Sequence, residues 1–197
     1  MREGSGETSV AVAPDAAFAY LADPRHTQEW FAGATLAEQP TGEPRAGMAW
    51  RFVLVRSDNR VVPVRMAVYD PPSRFSWRTT LPWPRTNLEW EMRCDPEQPL
   101  PGLSATPPQA GEGQSAAHTR LRMTIRIAPG PVGWLALWVS PRAYRPNPAL
   151  QAQRAVERAR DALIEQTNQQ TNQQTSEQTM DGPPARKPSA KSGRQRG

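Results

Sequence analysis

For acid–base or covalent chemistry the apolar strand face offers only one cysteine and a few polar residues at strand ends, and the chain holds two histidines. His26 opens a short helix and His118 a strand. Neither sits in an HExxH pattern, and a lone Cys94 gives no paired-cysteine spacing, so no metal and no other cofactor is expected. Cys94 falls on an apolar strand face, where hydrocarbon surroundings raise a thiol's pKa, and is expected to be a small core residue rather than a nucleophile. No glycine-rich phosphate loop is present, and no catalytic residue is assigned. The polar members of the apolar strand face are Arg56, Asp70, Thr79, Cys94 and Thr119, all near strand ends, as around the mouth of an open interior. What the sequence holds in quantity is an apolar wall of Trp50, Phe52, Val64, Met66, Phe75, Trp77, Trp90, Met92 and Met123, faced by Ala155 and Ala159 on a later helix. Aromatic rings beside adaptable methionines suit a flat or flexible hydrophobic ligand, which makes these positions the candidate ligand-binding residues. The same side chains would also make an ordinary core.

Alternation assembles that wall. Strand side chains repeat every second residue, so parity alone sorts them onto two faces. Met48, Trp50, Phe52 and Leu54 of "GMAWRFVLVRS" share one face, as do Val62, Val64, Met66 and Val68 of "RVVPVRMAVYD". Between them Asp58-Asn59 tolerates positive φ and suits a tight hairpin. Phe75 and Trp77 of "RFSWRT" follow a Pro71-Pro72 break. In "NLEWEMRC" and "TRLRMTIRI" both faces are legible: Leu88, Trp90, Met92 and Cys94, then Leu121, Met123, Ile125 and Ile127, against Glu89 and Glu91 opposite Arg120, Arg122 and Arg126. That pattern predicts antiparallel neighbours joined by outward ion pairs worth about 0.2–1 kcal/mol each. "TSVAVAP" reads as a first strand with Val10 and Val12 inward, and "ATLAEQ" as a weaker second one. Pro63 fits near a strand start or at a bulge.

Helices close the construction. "DAAFAYLADPRHTQEWF" reads as two short helices, with Phe18, Tyr20 and Leu21 inward, Asp23-Pro24 starting the second as N-cap and first residue, and Trp30 plugging one end. "NPALQAQRAVERARDALIEQ" starts on Asn147 and Pro148, and its inward stripe is Ala152, Ala155, Val156, Ala159, Ala162 and Leu163. Trp134, Leu137 and Trp138 just before it are expected to pack into the core.

The 197 residues, with 22 prolines and 13 glycines, imply one ordered domain with spare chain. Residues 1–5 are expected as an N-terminal extension, 6–167 as the domain, 95–117 as a long Pro- and Gly-rich loop inside it, and 168–197 as a disordered, low-complexity basic tail, its glutamines prolonging the helix by a turn or two. The net charge of +5 lies largely in that tail, where five cations meet two acids. Specific nucleic-acid binding by the domain is therefore not expected, although the tail offers weak contact with anionic membranes. No run reaches the roughly 20 apolar residues of a membrane span, the start lacks a signal-peptide stretch, and a single cysteine fits a reducing compartment. A cytoplasmic protein is expected.

The segments "VAVAPDAAFAYLADPRHTQEWF", "VYDPPSRFSWRT" and "HTRLRMTIRI", followed by an Arg- and Ala-rich helix, resemble the START-like superfamily in its polyketide cyclase/dehydrase and lipid-transport (SRPBCC) group over roughly residues 6 to 167. The resemblance implies an α+β helix-grip fold. A curved antiparallel sheet of about seven strands would hold the C-terminal helix, a short helical pair would follow the first strand, and an apolar cavity would lie between sheet and helix. Non-enzymatic binding or transport of a small hydrophobic molecule, whether lipid, polyketide or aromatic metabolite, is the leading expectation. The alternatives are a polyketide cyclase or dehydratase using Arg56, Asp70 or Thr79, and a protein-interaction domain using the outer sheet face and the tail.

Overall fold

The computed structural model describes residues 1–31, 34–54, 59–81, 85–97, 117–130 and 147–180. Its strands are β1 (Arg2–Val10), β2 (Ala34–Leu36), β3 (Ala49–Leu54), β4 (Arg60–Asp70), β5 (Arg74–Leu81), β6 (Thr86–Pro96) and β7 (Thr119–Pro129). They form one antiparallel sheet in the order β1-β7-β6-β5-β4-β3-β2, so every neighbour but β1 is also a neighbour in sequence. After β1 come α1 (Pro14–Ala22), a 3₁₀ turn (Pro24–His26) and α2 (Thr27–Trp30), and the last described element is α3 (Pro148–Met180). This is the helix-grip arrangement the sequence implies.

Parity builds the inner face. Trp50, Phe52, Val62, Val64, Met66, Phe75, Trp77, Met92, Cys94, Leu121, Met123, Ile125 and Ile127 are all buried in one cluster with Phe18, Leu21 and Trp30 of the helical cap and Ala152, Ala155, Val156, Ala159 and Leu163 of α3. On the outer face Arg122 reaches Glu7 at 2.7 Å, Arg126 reaches Glu3 at 2.9 Å and Glu91 at 3.1 Å, and Arg78 reaches Glu89 at 3.2 Å. Only Arg126–Glu91 joins β6 to β7 as expected; Arg122 and Arg126 otherwise reach β1, and Glu89 turns to Arg78 on β5.

Four expectations need correcting. Val68 does not share the face of Met66: the β4–β5 register shifts between them, so Val68 pairs with Ser76 while Tyr69 pairs with Phe75 and packs on Phe18 at 5.3 Å. An extra residue in a strand reverses parity beyond it. Residues 2–5 are not an extension but the first half of β1, paired with Ile127 through Thr124. Their inward positions are Gly4 and Gly6, so no apolar alternation announces the strand. A Cβ at Gly4 would lie 2.1 Å from the Ala149 nitrogen, and one at Gly6 2.4 Å from Gln153 Cα, so glycine is what lets α3 cross β1 this closely. α3 itself continues to Met180, well beyond Thr167, with Thr167 and Thr171 hydroxyls donating to the carbonyls of Leu163 and Thr167. Finally, β6 extends through Asp95 and Pro96, paired with Arg120 and Thr119, so the long connection starts later than residue 95.

Asn59 takes the positive φ of 54° suited to its turn, while its neighbour Asp58 lies outside the described residues. Arg56, Trp134, Leu137, Trp138, residues 98–116 and residues 181–197 also lie outside them.

Candidate functional site

The candidate wall centres on Trp77. Its ring lies 5.3 Å from Trp30, 5.6 Å edge-on from Trp50, 5.5 Å from Phe75 and 6.1 Å from Phe52, centroid to centroid. The strand register explains this crowding, since Trp77 is paired directly with Met66 on one side and Trp90 on the other. The cap delivers Trp30 because Asp23 ends α1: its carboxylate accepts from the Arg25 amide and fixes the turn into α2. Burial alone would raise the Asp23 carboxyl, but the Arg25 hydrogen bonds outweigh it and hold the group below its ordinary range. Trp50, Phe52, Val64, Met66, Phe75, Met92, Met123, Ala155 and Ala159 join Trp77 in the buried cluster, whereas Trp90 is only partly buried, at the margin, where it meets Phe31 edge-on at 5.4 Å.

The polar content of this interior is unusual. The indole Nε1 atoms of Trp30, Trp50 and Trp77 are buried and have no hydrogen-bond partner among the described residues, and the same holds for the Thr27 hydroxyl, one turn before Trp30. Ser76 is likewise buried and unpartnered on the other face of β5. Three donors without acceptors, all from rings that touch Trp77 or belong to it, form a feature that counting apolar residues by parity does not reveal. The signal available beforehand was the residue type: tryptophan brings a donor wherever it is buried.

The polar candidates do not converge on it. The Thr79 hydroxyl donates to the Pro63 carbonyl at 2.5 Å, and Thr119 donates to that of Val12 at 2.5 Å. Asp70 is exposed at the β4–β5 turn, 3.5 Å from Arg74. Thr79 pairs with Val64, six residues along β4 from Asp70, which separates the two by roughly 20 Å. Burial pushes the Cys94 thiol up to about 12, with Asp95 adding to the shift, so it is a neutral core group. Among the described residues no three His, Cys, Asp or Glu side chains gather as a metal site, and no helix is long and apolar enough to cross a membrane.

A second cluster lies on the cap. The His26 ring stacks on Tyr20 at 4.4 Å, its Nδ1 lies 3.0 Å from Glu29 Oε1, and the Tyr20 hydroxyl donates to Glu29 Oε2. These three line a cleft of about 550 Å³ between the cap and α3, opposite Arg158, Asp161 and Glu165. Burial, then Glu29, raises the Tyr20 phenol far above its ordinary range. The i,i+3 spacing of His26 and Glu29 was the one legible hint, whereas Tyr20 is brought in by the turn at Asp23.

A family model described as polyketide cyclase / dehydrase and lipid transport matches residues 1–164. No curated protein sequence matches the chain. Among solved structures, norcoclaurine synthase from Thalictrum flavum in complex with dopamine and hydroxybenzaldehyde aligns with a TM-score of 0.54 at 9% identity, covering 83% of this chain and 87% of that one. A protein from Mesorhizobium loti aligns at 0.50 with 15% identity over 83% and 98% of the two chains. One from Helicobacter pylori aligns at 0.51 with 12% identity over 83% and 86%. At such identities the likeness is one of fold.

Proposed function

Because the chain belongs to the polyketide cyclase/dehydrase and lipid-transport family of START-like proteins, we propose that it binds a small hydrophobic molecule between the inner sheet face and α3, without transforming it. The observation that carries this is the trio of buried indole N–H groups on Trp30, Trp50 and Trp77 that no acceptor among the described residues meets. Leaving a buried donor unsatisfied costs about 1–3 kcal/mol, so a guest that supplies acceptors recovers that loss as affinity. The matching guest is hydrophobic in bulk but carries carbonyl or hydroxyl oxygens, as polyketides and oxygenated aromatics do. The buried Met66, Met92 and Met123 are the side chains best able to yield around it, being unbranched and adaptable.

Native mass spectrometry of freshly purified protein, compared with the denatured mass, tests this. The expected result is a discrete adduct of roughly a few hundred daltons, the usual size of a small-molecule ligand, weakened by Trp50→Phe and Trp77→Phe. No adduct, even after incubation with a library of lipids and oxygenated aromatics, would contradict it.

One observation favours an enzyme instead: Glu29 holds both a phenol and an imidazole in an accessible cleft. Turnover of polyketide-like substrates that disappears in Glu29→Gln would support that alternative.

A further inference from the structure

The outer face of the sheet carries a groove of about 600 Å³ running from β3 across to β7. Outward positions on this sheet are mostly long and charged, but here they are Ala49, Pro63 and Ala128, and the shortness of these side chains leaves the depression, with Met1 at its β7 end. Charge is arranged unevenly around it. On β7 each guanidinium has a carboxylate: Arg120 and Arg122 meet Glu7, and Arg126 meets Glu3 and Glu91. Beside the groove this pairing lapses at Arg65 of β4, while Arg74 of β5 keeps Asp70 at 3.5 Å. Arg65 stands directly opposite Arg78, its other cross-strand neighbour is Ala49, and among the described residues it has no carboxylate partner. Arg78 has Glu89 alone, at 3.2 Å. Like charges directly opposite on neighbouring strands destabilise a sheet, and an anion seated between them reverses the sign of that interaction.

We propose that this groove is a second binding site, for a small amphiphilic carboxylate whose apolar body lies on Ala49, Pro63 and Ala128 and whose head sits between Arg65 and Arg78. The volume falls within the range of small-molecule sites, and an apolar floor with a few convergent polar groups is their usual composition. Most of its lining faces outward, and Val64, Thr79 and Leu88 of the inner-face positions also border it, so the indole signals of the interior serve as the control for independence.

The test is a titration of the isotopically labelled full chain with 2-naphthoate, followed by backbone amide and indole signals together. Saturable shifts are expected at Ala49, Arg65, Arg78 and Ala128, with the indole signals of Trp30, Trp50 and Trp77 unmoved. Arg65→Gln should weaken binding about tenfold, the scale of one lost charge-assisted hydrogen bond. Ala49→Leu, which fills the floor and leaves every charge in place, should abolish it. Both positions are exposed, so folding is preserved. Raised salt should weaken the interaction. Equal affinity for uncharged 2-naphthalenemethanol, unchanged binding in Arg65→Gln, or shifts confined to the indoles would overturn the proposal. So would a Glu-rich peptide that occupies the groove at lower concentration than naphthoate, since the natural occupant would then be a protein segment.

Discussion

Replacing Trp50 or Trp77 by phenylalanine removes a hydrogen-bond donor but keeps a ring in the core. Trp77→Ala should cost about 3–5 kcal/mol in urea denaturation, as for any fully buried aromatic. Trp77→Phe should cost distinctly less, because the buried N–H it removes has no acceptor among the described residues. Equal losses for the two variants would mean that the donor is satisfied. Glu91 supplies a pH test. Burial alone would raise its carboxyl, but hydrogen bonds from Arg93 at 2.8 Å and Arg126 at 3.1 Å outweigh that and hold it below its ordinary value of 4.5. A folded-state pKa lowered in this way contributes stability above the ordinary value and loses it as pH falls through the folded one. Stability should therefore fall on acidification below about pH 5, and the fall should be shallower in Glu91→Gln; equal slopes would refute the assignment. At this scale the inner face was legible because alternation reports burial directly. The unpartnered indoles were not, since whether a donor finds an acceptor depends on residues distant in sequence.

Elements were legible where their inward positions carry large side chains. β6 and β7 display Leu, Trp, Met and Ile against Glu and Arg, and their pairing could be written down from the text. β1 could not, because Gly4 and Gly6 fill the inward sites that touch α3, and glycine in isolation reads as loose chain. Gly6→Ala is expected to destabilise by about 1–3 kcal/mol, the cost of forcing atoms into a packed contact; an unchanged urea midpoint would show that α3 sits further from β1. The bulge in β4 was hidden for a related reason: Ala67 and Val68 are both apolar enough for either face, so parity passed through them unbroken. The extension of α3 has a different cause. Its glutamines and threonines lack an apolar stripe, yet they continue a helix already nucleated against the sheet, which removes the main obstacle to helix formation. Since the described side chains beyond Thr167 are exposed, deleting residues 168–197 should reduce helical circular dichroism while leaving the melting temperature unchanged. A large drop in that temperature would reveal packing by the tail.

For the whole molecule, the sheet separates two chemistries. Its inner face, closed by the cap and α3, is apolar with three unmet donors; its outer face is ionic, with a shallow groove where the pairing of charges lapses. Family membership and the helix-grip fold account for the first surface, and the sequence anticipated it because a half-buried sheet writes its two faces alternately along each strand. The most direct test of the interior site is the set of side-chain indole signals of Trp30, Trp50 and Trp77, followed while a panel of oxygenated aromatics and lipids is added. Binding should shift all three together, in the direction of stronger hydrogen bonding, and should be tighter for oxygenated members than for their hydrocarbon counterparts. Ligands that bind tightly while these three signals stay in place would contradict an interior site.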